Sequence, residues 1–181
     1  MSSSDVDLLE AVFLEMEATI AAVRSDQLHS PTPCTDYDVA ELVNHLIGWA
    51  RSFAAKFTGA SSTEDPNDYR TDENPAGVFH EAAEVIVGAY RSAAEPTEQL
   101  PPGFMVMEFL THGWDLAAAT GRTGNYSDNA AELGLKTARE MLKPENRGSA
   151  FLPPVEVAST DAAVDRLVAF MGRNPDWHPT A

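Results

Sequence analysis

Cysteine, positive charge and long apolar runs are all scarce in this chain. Cys34 is the single cysteine, so no disulfide can form within the chain and nothing in it calls for an oxidising compartment. Twelve Lys and Arg stand against 28 Asp and Glu, a formal net charge of −16. That balance excludes the basic face that nucleic acid or an anionic membrane requires. No segment has the uninterrupted apolar length of a membrane span. Residues 1–10 carry acids and no basic run before an apolar stretch, so they do not read as a signal peptide. A cytoplasmic location is therefore expected, with neither nucleic acid nor membrane as partner. Internal repeats and hairpin-like alternation are also missing.

What is present is helical spacing. With 181 residues and 44% apolar content, the chain can build one sizeable core. Leu9, Val12, Phe13, Met16, Ile20 and Val23 step by threes and fours, and Ser4 and Asp5 are cap types before them. A turn through residues 29–33 leads to a second helix predicted to start near Asp36 or Tyr37. Its stripe runs from Val39 through Leu42, Leu46 and Phe53 to Phe57. Residues 58–74 are polar and read as a long surface loop, whose acids Glu64, Asp65, Asp68, Asp72 and Glu73 form a solvated run. Further helices are predicted over about 76–94, 104–119, 129–142 and 161–171, with an extended strap over 144–160 and an irregular tail from 172. The class is all-α: a bundle over 1–143, with the strap and a short helix of 144–181 packed on it.

The fourth helix carries the chemistry. Between Gly103 and Thr120 its only charged residues are Glu108 and Asp115, and His112 lies between them. Steps of four and three put all three on one face of an otherwise apolar helix. A buried carboxylate must find a cation or shift its pKa, and this helix offers no Lys or Arg. Glu108 and His112, one turn apart, can clamp a divalent metal. His45, on the flank of the second helix's apolar stripe, is a third donor. Two histidines and a carboxylate suit zinc and leave positions open, and the same set also holds iron, manganese or nickel. The spacing equally fits an ordinary buried His112 bonded to Glu108 or Asp115, with His45 half-exposed. Asp115 reads either as a group that orients His112 or as a helix-end carboxylate. Trp49, Phe53 and Trp114 can wall a pocket but at helical spacing read first as core. Cys34 reads as a small residue packed in a turn, with nothing basic beside it to activate the thiol. His29, His80 and His178 have no partner at ligand spacing.

Three blocks of sequence carry a resemblance. The run Thr32-Pro-Cys-Thr-Asp-Tyr-Asp-Val39, continuing to Leu42, Val43, Asn44 and His45, resembles the second-helix signature of DinB/YfiT-like bundles related to mycothiol-dependent maleylpyruvate isomerase. Met107-Glu-Phe-Leu-Thr-His-Gly-Trp-Asp-Leu-Ala117, ending in Ala119-Thr-Gly121, resembles the family's fourth-helix motif. Leu167-Val-Ala-Phe-Met-Gly-Arg-Asn-Pro-Asp-Trp177 resembles the C-terminal signature of a short actinobacterial branch. The resemblance implies a DinB-like four-helix bundle binding a divalent metal, commonly zinc, through His45, Glu108 and His112. Asp115 moves to a supporting position. It also implies a metal-activated low-molecular-weight thiol, mycothiol, acting as cosubstrate toward an electrophilic substrate in an S-transferase or isomerase reaction. A non-catalytic metal or ligand binder, or a sensor, is the alternative. Related bundles occur as monomers and homodimers. The isomerase has a further C-terminal domain that helps form its substrate site, and the strap and short helix here depart from that pattern.

Overall fold

The computed structural model describes residues 3–60, 65–71, 74–92, 100–147 and 151–179. Six α-helices lie among them: α1 (Ser3–Ala21), α2 (Val39–Thr58), α3 (Pro75–Ser92), α4 (Pro102–Ala119), α5 (Asp128–Met141) and α6 (Ala163–Phe170). Among the described residues there is no β-ladder, only an isolated bridge between Pro31 and Asp38. No helix of the described residues is long and apolar enough to cross a membrane. The class is all-α, as the apolar spacing predicts.

The helices pack as a four-membered ring: α1 lies between α3 and α4, and α2 closes it against α3 on one side and α4 on the other. The α2–α4 seam is the sparsest of the four. Phe13, Phe79 and Phe109 meet at its centre with ring centroids 5.0–5.8 Å apart, tying α1, α3 and α4 together. α5 covers the outer side of α4, and α6 covers α5. Fourteen of the eighteen residues of α4 are buried, which makes it the central helix and explains its lack of a polar face. Leu9, Leu42, Leu46, Phe79, Ile86, Met105 and Leu116 are all fully buried, so the predicted stripes do face the core. Each such side chain contributes about 1.5–3 kcal/mol when removed from water.

Boundaries shift where side chains bond the backbone. α2 begins at Val39, not at Asp36 or Tyr37. The Thr32 hydroxyl donates to the carbonyls of Cys34 (2.8 Å) and Tyr37 (2.9 Å), holding the preceding residues in a turn. Asp38 then accepts from the Glu41 amide while the Glu41 carboxylate accepts from the Asp38 amide, closing a capping box. α1 begins at Ser3, so Ser4 and Asp5 stand in its first turn, not before it. α3 is described as far as Ser92; the predicted end at 94 lies outside the described residues.

The loop after α2 is not featureless. Gly59 caps α2 with a φ of 72°, which needs no Cβ. A single 3-10 turn, Pro66–Asp68, then lies back on α2. It comes so close that a Cβ on Gly48 would stand 2.0 Å from the Pro66 carbonyl oxygen, so glycine there is what lets the turn dock. Of the acidic run, Asp65 serves that turn, whereas Glu64, Asp72 and Glu73 lie outside the described residues. The C-terminal strap is extended and mostly exposed. Val155 donates to the Ala169 carbonyl (2.9 Å), and Arg147 donates to Leu152 and Phe170 carbonyls (2.8 and 3.0 Å). Arg166 pairs with Glu132, joining α6 to α5.

Candidate metal centre

The sparse α2–α4 seam opens on Glu108. Its Oε1 lies 3.4 Å from Nε2 of His112, one turn further along α4. The same oxygen lies 3.7 Å from Nε2 of His45, presented by α2. Ligand atoms of the three residues all fall within 4.8 Å of one another. A tetrahedral ion with bonds of about 2.0–2.1 Å holds its ligand atoms about 3.3 Å apart, close to the separations found. His112 is buried, and His45 and Glu108 are half-buried, which leaves one side of the cluster open.

Both imidazoles are fixed from behind. His112 Nδ1 sits 3.0 Å from Asp115 Oδ2. His45 Nδ1 sits 3.2 Å from Asn67 Oδ1 on the docked 3-10 turn. An oxygen acceptor at each Nδ1 holds a proton there and aims each Nε2 at Glu108, as an N–H donor to the carboxylate when the ring is protonated and as a lone pair when it is neutral. Asn67 is itself held: its backbone and side-chain amides donate to Asp65 Oδ1 at 2.9 and 3.0 Å, and the Trp49 indole donates to its Oδ1 at 3.2 Å. Asp115 is held more firmly. Arg173, just after α6, donates through Nε (3.3 Å) and Nη2 (3.0 Å) to its two oxygens, and through Nη1 to the Met171 carbonyl (2.9 Å). Asp115 is 0% exposed and Arg173 only 4%, so this is a buried ion pair completed by His112.

Electrostatics follow from that packing. Burial works against the charge on Glu108, but hydrogen bonds and the fields of His112 and His45 prevail, holding its carboxyl well below the usual range. Burial likewise opposes charge on His112, yet Asp115 and Glu108 raise its pKa to about 9. Asp115 is lowered despite burial, mainly by the Arg173 charge and the His112 bond. A cluster this anionic favours a cation at the Nε2 side, either a proton or a metal ion.

The sequence candidates separate at this point. His45, Glu108, His112, Asp115 and Trp49 come together. Trp49 meets the His45 ring edge-on at 6.3 Å and lies tilted against Phe53 at 5.5 Å, while Tyr37 lies against the His45 ring at 4.6 Å. Trp114 does not join them. Two residues from His112, it points to another face of α4 and lines a groove with Val164 and Trp177. Cys34 is 5% exposed, and an atom of it lies within 4.8 Å of His112 and Asp115 donors. Burial pushes its thiol pKa up, so it remains a packed thiol, although Arg173 is nearby. His29 and His80 pair with Asp38 (3.2 Å) and Glu17 (2.9 Å), away from the centre. Sequence reasoning assigned no role to Asn67 and Arg173. Asn67 lay in a run read as loop. Arg173 lay inside the C-terminal motif, where a lone Arg amid apolar residues was the available signal.

Residues 9–117, which include every residue of the His-Glu-His cluster, match the family described as Mycothiol maleylpyruvate isomerase N-terminal domain. The chain is 32% identical over 168 residues to uncharacterized proteins of Mycobacterium tuberculosis, one from strain H37Rv and one from strain CDC 1551 / Oshkosh, covering 86% of this chain and 90% of each relative. No solved structure matches. The protein belongs to the mycothiol maleylpyruvate isomerase N-terminal domain family.

Proposed function

We propose that this protein holds a divalent metal ion, zinc in the first instance, through His45 Nε2, Glu108 and His112 Nε2, and uses it in thiol-dependent transfer or isomerisation with mycothiol as cosubstrate. The observation that carries the reading is the orientation of the two histidines. Each is bonded at Nδ1 to an oxygen acceptor and turns Nε2 onto one carboxylate oxygen. Bound there, the ion supplies Lewis acidity that lowers the pKa of a thiol and keeps it nucleophilic at neutral pH. The chain's own contribution is to fix both imidazoles, to keep Glu108 ionised and to leave one side open. Tyr37 and Trp49 pack against the His45 ring and help to hold it in place. A thiol as cosubstrate is supported by the family to which the chain belongs.

Metal analysis of the purified protein tests the first half. About one equivalent of divalent metal is expected, falling below about one-tenth in His45→Ala and His112→Ala. A wild-type protein with less than about one-tenth of an equivalent after zinc loading and desalting would sink the metal reading. The second half is tested by the rate at which metal-loaded protein conjugates mycothiol to chlorodinitrobenzene, which must exceed that of the His112→Ala variant.

One observation favours binding without turnover as a second reading. Asp115, the remaining carboxylate on this face of α4, has its oxygens occupied by Arg173 and His112 and has none to spare for a substrate proton. Full metal occupancy with no rate above background for any thiol would select that reading.

A further inference from the structure

A second recess lies on the other side of α4. Trp114, Val164, Pro175 and Trp177 form its apolar walls, and Arg122 and Asp165 line it with opposite charges. Its volume of about 440 Å³ falls in the range of small-molecule sites, which is roughly 300–1,000 Å³. The walls are built rather than draped. The tail that carries Pro175 and Trp177 is anchored by Arg173 on Asp115, and folded by bonds from the Asp176 amide to Asn174 Oδ1 (3.1 Å) and from the Trp177 amide to the Asn174 carbonyl (3.0 Å).

The two charges are the informative part. In a chain of net charge −16, the Arg122 guanidinium has no ion-pair or hydrogen-bond partner among the described residues. Asp165 is half-buried and has no cationic partner among them either. Burial pushes its pKa up, and the carboxylates of Asp161 and Asp176 add to the shift. Arg122 and Asp165 face one recess and do not pair with each other. An apolar body between two indoles, with an anionic end for Arg122 and a cationic end for Asp165, satisfies all the groups at once.

We propose that this recess is a binding site for a zwitterionic small molecule of the amino-acid or short-peptide class with an aromatic or apolar body, separate from the His45–Glu108–His112 cluster. Its carboxylate is held by Arg122, its ammonium by Asp165, and its side chain lies between Trp114 and Trp177.

The protein contains three tryptophans, and Trp49 stands at the other site as an internal control. Indole N–H signals, assigned from single Trp→Phe variants, are followed by NMR during titration with L-phenylalanine and glycyl-L-phenylalanine, which differ in charge separation. The Trp114 and Trp177 signals are expected to shift with a Kd of about 1 mM or below for at least one probe, and the Trp49 signal to stay. Phenylpropanoate and phenylethylamine, each lacking one charge, should bind roughly tenfold more weakly, as should Arg122→Gln and Asp165→Asn with the full zwitterion. The proposal is overturned if neither probe moves the two signals at about 10 mM. It is equally overturned if the single-charge probes bind as well, or if either variant binds unchanged.

Discussion

Replacing Arg173 with Met removes the charge while keeping much of the stem's volume. Asp115 is 0% exposed, and Arg173 meets both its oxygens at 3.0 and 3.3 Å. After the change, His112 Nδ1 at 3.0 Å remains as the carboxylate's partner. Removing one member of a buried pair costs about 3–5 kcal/mol, because the other is left uncompensated. The remaining His112 bond places this case at the lower end, about 3 kcal/mol. Urea unfolding of metal-free protein measures it. The double variant Arg173→Met with Asp115→Asn should lose less than the sum of the two singles, because it leaves no orphan charge. Zinc affinity, measured by chelator competition, should fall roughly tenfold in Arg173→Met because the group that orients His112 is loosened. A stability loss under about 1 kcal/mol, or strict additivity in the double variant, would refute the account of this pair as a buried strut.

Asn67→Leu removes the acceptor shared by His45 Nδ1 and the Trp49 indole, and is expected to weaken zinc binding 10- to 100-fold by competition assay while leaving the urea midpoint nearly unchanged. In metal-free protein, His112 has its pKa raised from 6.5 to about 9, so its contribution is complete below about pH 6.5 and is lost as pH rises through 9; the loss is about 3 kcal/mol, read from urea unfolding as a function of pH and absent in His112→Asn. Glu108 and Asp115 have depressed pKa values, so their contribution is present above about pH 4 and disappears as pH falls through the folded values, an acid-side loss that the same titration should show. Cys34 should resist iodoacetamide in the folded protein at pH 7 and react once urea unfolds it, and Cys34→Ala should keep full metal content; rapid labelling of the native state would mean the thiol is accessible.

Helix periodicity reached most of the architecture. The stripes of α1 to α3 are long and regular, and burial on one face is what such spacing encodes; α4, apolar all round, is buried on nearly every side. Ends were less legible, because they depend on single hydrogen bonds. The turn held by Thr32 and the Asp38–Glu41 box moved the start of α2 to Val39. At the centre, Glu108 and His112 were readable together because one turn of one helix joins them. His45 was only a reasonable third donor from its flank position, and the family motif singled it out. Trp114 shows where the one-dimensional view ran out: α1, α2, α5 and α6 all pack against α4, so an aromatic on it had several neighbours to choose from.

Local rules of the chain therefore decided the helical class, the inward stripes and the Glu108–His112 spacing, since each depends on residues within a turn or two of one another. Only the tertiary structure decided how the histidines are aimed. Asn67 reaches His45 from a turn that docks through the missing Cβ of Gly48, and Arg173 reaches Asp115 across 58 residues of sequence. Both contacts follow from how closely packed elements approach, which no periodicity in the chain records. The same long-range packing assembled Arg122, Asp165 and two indoles around a recess that no motif announced.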